Sequence, residues 1–150
     1  LASHERASHT DVSSDDAMTA SASYRTDKSG ANYGDKDKLR SRTHYTGAKG
    51  DERAEFAQSF KLDGTVRDTT IYSYGQGDVL DFATSYNGGT EDSKTITDAM
   101  TKKSYTNYVG SVKDQEITDY ALTYNQGAQG PDIVSGTTVY FYLADHKSVG

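Results

Sequence analysis

An antiparallel all-β fold is predicted by three observations: a six-residue motif that recurs, a second motif that alternates with it, and Gly-rich links ending in Asp between the two. The first motif reads acid, aromatic, Ala, variable, Ser/Thr, aromatic at Glu55–Phe60, Asp81–Tyr86 and Asp119–Tyr124, with a degenerate copy at Thr19–Tyr24. We call these B-type strands. The second motif, A-type, occurs at Thr69–Tyr74 and Thr137–Tyr142, with Arg42–Tyr45 as a weaker relative. Gly47–Asp51, Gly75–Asp78 and Gly110–Asp114 lead from an A-type into a B-type segment. Such links suit tight reversals, because Gly supplies positive φ and Asp bonds to nearby backbone. Self-similarity of this kind marks a repeated supersecondary unit, here a hairpin.

Each element follows from period-2 alternation. In order, strands are predicted at 17–25, 38–46, 52–62, 67–74, 79–86, 103–109, 116–124 and 136–144. B-type strands put Phe56, Phe60, Phe82, Tyr86, Tyr120, Leu122 and Tyr124 on one side. Their other side carries Glu55, Ala57, Ser59, Asp81, Ala83, Ser85, Asp119, Ala121 and Thr123. A-type strands set Ile71, Val139, Phe141 and Leu143 opposite Tyr72, Tyr74, Tyr140 and Tyr142. The aliphatic side is expected to be core, leaving a tyrosine stripe partly exposed. Within 94–113, Ile96, Met100, Tyr105, Tyr108 and Val112 also fit helical spacing, so a short helix is the alternative there. Residues 1–16 show no apolar pattern and read as a mobile arm, ahead of a single β domain over 17–150.

The units run B, A-B, A-B, A-B, A. Pairing the last A-type strand with the first B-type strand would close an up-and-down meander of about eight strands into a barrel and remove its edges. A two-sheet β-sandwich is the alternative.

Composition narrows the function classes. The chain has 150 residues, 33% of them hydrophobic, with 12 Tyr, 4 Phe and no Trp. That is enough for one domain with a modest core, in which tyrosine supplies ring area with a polar tip. A net charge of −6 and no basic stripe argue against nucleic acid. No apolar run reaches membrane-helix length, and mid-strand Gln58, Ser73 and Thr84 interrupt the apolar band of an outer-membrane barrel. The absence of cysteine excludes disulfides and thiolate chemistry. A chain rich in Tyr, Thr, Ser, Gly and Asp and free of Cys has the style of secreted or cell-surface modules, which sets the expected location.

Candidate chemistry is sparse. His4 and His9 lie in the arm; His44 replaces an apolar residue in an A-type strand and reads as a satisfied or surface histidine. Asp145 and His146 are sequence neighbours, which point to opposite faces of a strand and do not cooperate. No nucleophile elbow, zinc-protease helix or phosphate loop occurs. Glu55, Asp81 and Asp119 share one position of the repeat. They read as solvated gatekeepers, or, if turned inward, as groups able to perturb one another or bind a cation. Calcium is the one cofactor worth considering, because several Asp residues sit in Gly turns. Gly75–Leu80 is similar to part of the calcium-binding nonapeptide of β-rolls, making Asp78 and Asp81 the candidate ligands. Tyr72, Tyr74, Tyr140 and Tyr142 form the candidate ligand-binding row, suited to stacking on sugar rings or to packing subunits.

The expected function is a non-catalytic structural or adhesive module (extracellular filament, adhesin or virion part) acting through self-association. The alternatives are a small-ligand or carbohydrate-binding barrel, and a small barrel enzyme using Asp81 and Asp119. Partners would be copies of itself or a cell-surface glycan.

Overall fold

The computed structural model describes residues 13–25, 38–125 and 132–143. Eight strands follow one another: β1 Ala20–Tyr24, β2 Leu39–Thr46, β3 Arg53–Phe60, β4 Val66–Tyr74, β5 Leu80–Asn87, β6 Thr101–Val109, β7 Ile117–Tyr124 and β8 Val134–Val139. They form one antiparallel sheet in sequence order. The meander is therefore as predicted, and β6 replaces the helix alternative. A strand satisfies residues 101–109 because alternate side chains there face opposite sides while both neighbours offer ladders. Most of the arm predicted over 1–16 lies outside the described residues. Its end forms a turn in which Ser13 N–H donates to Asp16 Oδ2 at 2.7 Å.

The repeat is written into the ladder irregularities. Each B-type strand carries a register shift at the same step of its motif: Ser23/Tyr24, Ser59/Phe60, Ser85/Tyr86 and Thr123/Tyr124. The degenerate first copy thus behaves like the other three. The three A-to-B hairpins also share an irregular closing pair, Tyr45 with Ala54, Tyr74 with Leu80 and Tyr108 with Thr118. Bulges sharpen local twist, so a bulge at each unit gives every hairpin the same bend. The turns explain the recurring chemistry of the links. Gly50, Asp78 and Asp114 all have positive φ, the conformation that Gly adopts freely and Asp tolerates.

Closure into a barrel is not observed. No described ladder joins β8 to β1; each is an edge of the sheet. It keeps the open edges of the sandwich alternative, with all eight strands in one continuous ladder. The reason lies on the face that carries Phe56, Gln58 and Phe60. Over the first half of the sheet, residues 88–100 lie on that face, in the space an eight-stranded barrel reserves for its interior side chains. We call this the covered face. Its core is small: Leu39, Phe60 and Val66 are buried together, with Tyr24 packed against them. Phe56, Ala83 and Met100 are also buried.

The same face is uncovered toward β8, which corrects the expected core. Val139 is half exposed, while Phe141 and Leu143 are 91% and 94% exposed. Alternation did place Val139 on the apolar face, opposite Tyr120. Nothing among the described residues packs over that end, so the pattern set the face but not its burial.

Candidate functional site

Three regions hold the chemistry that the sequence offers: the anchor of residues 88–100, the tyrosine face, and the β8 edge.

The anchor is built around Gln58, which is 1% exposed in the middle of β3. Its Nε2 donates to Thr90 O at 2.9 Å, Thr69 Oγ1 at 3.2 Å and Ser93 O at 3.3 Å. Its Oε1 accepts from Asp92 N–H at 2.9 Å. Thr69, fully buried, donates to Gly88 O at 2.9 Å. Gly89 must lack a Cβ, because at φ 138° an added carbon would overlap Thr69 Oγ1. On β2, Arg42 and His44 both reach Asp92, His44 at 3.0 Å, and Arg42 also reaches Glu91 at 3.3 Å. His44 is buried and stacks on Phe56 at 4.2 Å, which bears out its reading as a satisfied histidine.

Burial pushes the Asp92 carboxyl upward, but the hydrogen bond and charge of Arg42, with His44 beside them, outweigh it and hold the group below its ordinary range. Arg42 shows the mirror effect: burial opposes its charge, and Asp92 and Glu91 more than restore it. A depressed carboxylate contributes stability that is present above its unfolded value, about pH 4, and is lost as pH falls through its folded value. Amides of residues 88–100 should therefore lose protection, measured against the intrinsic exchange rate at each pH, as pH falls below about 4, before the sheet as a whole opens. Asp92→Asn should give the same selective exposure at pH 7, at a cost of roughly 1–2 kcal/mol. Hydrogen exchange at pH 7 and pH 3.5 checks both. Uniform loss of protection across all strands would contradict this picture.

The tyrosine face is the other side of the sheet. Tyr72 lies opposite Ala83 and, through the strand ladders, shares its face with Ser85, Thr106 and Thr138. Burial raises the Tyr72 hydroxyl, with Tyr108 and Tyr45 adding to it, and burial with Tyr140 beside it raises Tyr108. One tyrosine from each of β2, β4 and β6, with Tyr140 just beyond β8, thus stands in one row. Of the four candidates, Tyr72 and Tyr140 belong to this row. Tyr74, which also stands beside Tyr72, and Tyr142 make a further contact: Tyr74 donates to Ala54 O at 2.8 Å, and Tyr142 to Thr118 O at 2.6 Å. In the repeat, Tyr74 corresponds to Tyr142 and Ala54 to Thr118, so one latch is built twice. Sequence reasoning found the four tyrosines but not this division, because the acceptor is a backbone carbonyl of another strand. Tyr45 and Tyr108 follow Thr43 and Thr106 by two residues on the same face, but β2 carries only a weak copy of the A-type motif and β6 none, so the row was not read there.

Beside the tyrosines, small side chains on neighbouring strands leave an open groove of about 390 Å³. Ser41, Ser59, Thr70, Ser85 and Ser104 line it with Asp68 and Lys103. Within it Ser59 donates to Asp68 at 2.9 Å, Lys103 pairs with Asp68 at 3.0 Å, and the Thr70 and Ser85 hydroxyls are 2.7 Å apart. Asp81 and Asp119 do not line it.

The candidate metal ligands stay apart from one another in role. Asp78 occupies the positive-φ turn position and pairs with Arg53, whose guanidinium lies 5.1 Å from the Tyr74 ring. Asp81 points to solvent, and Glu55 pairs with Lys94. Among the described residues no three His, Cys, Asp or Glu side chains converge as a metal site would require. No helix among them is long and apolar enough to cross a membrane. His4, His9, Asp145 and His146 lie outside the described residues.

β8 and the residues flanking it expose Ile133, Val134, Val139, Tyr140, Phe141, Tyr142 and Leu143. Inward from that edge, Phe82, Tyr105 and Tyr120 form a chain of rings on the covered face, with centroids 5.4 and 6.1 Å apart. Compared with known proteins, the chain matches no family model, no curated protein sequence and no solved structure.

Proposed function

We propose that this chain is a non-catalytic structural β module that associates with copies of itself through its sheet edge, as an adhesive or filament component at an extracellular surface. The observation that carries this reading is the apolar run at the β8 edge, where Phe141 and Leu143 are almost wholly exposed. Soluble proteins blunt edge strands with charge, Pro or bulges, and rarely leave contiguous apolar surface uncovered. Here the run from Ile133 to Leu143 carries no charge and no Pro, and the register shift of β8, between Val134 and Gly136, lies at its start, away from Phe141 and Leu143. The extracellular setting rests on the style of the composition, rich in Tyr, Thr, Ser, Gly and Asp.

Sedimentation or native mass measurement over a range of concentrations tests the reading. Assemblies are expected for the unaltered chain, and Phe141→Asp with Leu143→Asp should return them to monomer with unchanged far-ultraviolet circular dichroism. A chain that remains monomeric at high concentration would sink the proposal.

Glycan binding is the second reading, favoured by the hydroxyl-lined groove beside the tyrosine row. Tyr72→Ala with Tyr140→Ala should then abolish retention on a polysaccharide matrix while the fold persists. No retention of the unaltered chain on any of a panel of neutral and acidic polysaccharides would remove this reading.

A further inference from the structure

The three hairpins that lead from an A-type into a B-type strand share one register. Ser41, Thr70 and Ser104 stand opposite Ser59, Ser85 and Thr123. Two residues further on, Thr43, Tyr72 and Thr106 stand opposite Ala57, Ala83 and Ala121. Each such ladder sets hydroxyl against hydroxyl, then a larger side chain against Ala. β8 belongs to the A-type motif and is paired on one side with β7; β1 is B-type and is paired on one side with β2. The outer edge of β8 therefore has the character that meets a B-type strand three times within this sheet. The outer edge of β1 has the complementary character.

We propose that β8 pairs with β1 of a second copy, antiparallel, with Thr138 opposite Ser23 and Tyr140 opposite Ser21 of that copy. The inference rests on the self-association reading and adds which strands meet and in what register. Thr138 holds the place of Thr70 in the A-type motif, and Ser23 that of Ser85 in the B-type motif. A slip of one residue would turn the tyrosine face of one copy onto the covered face of the next. A slip of two toward Ser21 would still set hydroxyl against hydroxyl, but it would take Thr138 out of the place that its motif counterpart Thr70 holds opposite Ser85, where the two hydroxyls are 2.7 Å apart. β1 presents Ala20, Ser21, Ala22 and Ser23, small enough to seat Val139, Tyr140 and Phe141 across from them. Because the two edges differ, the contact is heterologous, and repeating it extends a sheet from copy to copy instead of closing a two-fold dimer.

The cysteine-free chain permits a direct test. Thr138→Cys and Ser23→Cys, both at exposed positions, are made in separate chains and mixed with oxidised glutathione as the electron acceptor. Directly opposed residues have Cα atoms about 4.5–5.5 Å apart, within disulfide reach, whereas the diagonal neighbour lies roughly 7–8 Å away. The Thr138→Cys and Ser23→Cys mixture should give roughly tenfold more mixed disulfide dimer than Thr138→Cys with Ser21→Cys. Preferential Thr138→Cys homodimers would show two β8 edges meeting and would overturn the inference. Assembly at the unaltered level, without excess cross-linking of the Ser23 pair, would overturn the register and leave self-association standing. Monomers throughout would overturn both.

Discussion

Replacing Gln58 with Ala is expected to release residues 88–100 from the sheet and to lower stability by about 3 kcal/mol. The magnitude follows from what the substitution leaves behind. Gln58 serves Thr90 O, Ser93 O, Thr69 Oγ1 and Asp92 N–H from a fully buried position. Removing the amide strands those groups where water is scarce, and each buried orphan costs about 1–3 kcal/mol unless the site opens to solvent. Opening is the cheaper outcome, so the loss should appear as local release: protease cleavage within 88–100, together with a lower urea midpoint. Gln58→Glu separates shape from chemistry, since it keeps the volume but brings a second carboxylate close to Asp92. It should also weaken the anchor, and more so at pH 7 than at pH 4. A Gln58→Ala protein whose urea midpoint and cleavage pattern match the unaltered chain would show that the anchor does not hold this segment.

The second large effect is a contrast between two phenylalanines. Phe60→Ala should cost about 3–5 kcal/mol, as expected for emptying a closed site. Phe60 is 1% exposed, packed with Leu39, Val66 and Tyr24, and Arg42 lies 5.9 Å from its ring centre. So small a core has few other contacts to compensate. Phe141→Ala, at a residue almost wholly exposed, should change monomer stability by less than about 0.5 kcal/mol. It should instead reduce assembly. Denaturant titration at low concentration and sedimentation at high concentration report the two quantities separately. Equal destabilisation by both substitutions would mean that Phe141 is covered in solution by its own chain.

These contrasts mark how far the sequence could be read. Strand order and strand type were legible because the repeat states them: acid, aromatic, Ala, Ser/Thr, aromatic fixes an alternation, and the Gly-to-Asp links fix reversals. Even the degenerate copy at Thr19–Tyr24 was recognisable, and it carries the same bulge as the others. The anchor was not legible. Gln58 appears in the motif at its variable position, and nothing local distinguishes it from Thr84 or Leu122 in the same place. Its importance comes from carbonyls more than thirty residues away. The tyrosines were legible as a group, but the latches that Tyr74 and Tyr142 make depend on cross-strand carbonyls.

The sequence by itself determined an antiparallel meander, its eight strands, the alternation of side chains along them and the turn chemistry between hairpins. These are properties of period and local backbone preference, carried by residues close together in the chain. Only the tertiary structure decided which part of the apolar face is buried, that the sheet stays open, and that β8 remains an apolar edge. Burial depends on what comes to lie over a face, and here that is residues 88–100, held by Gln58 and Asp92 over one half of the sheet and absent from the other.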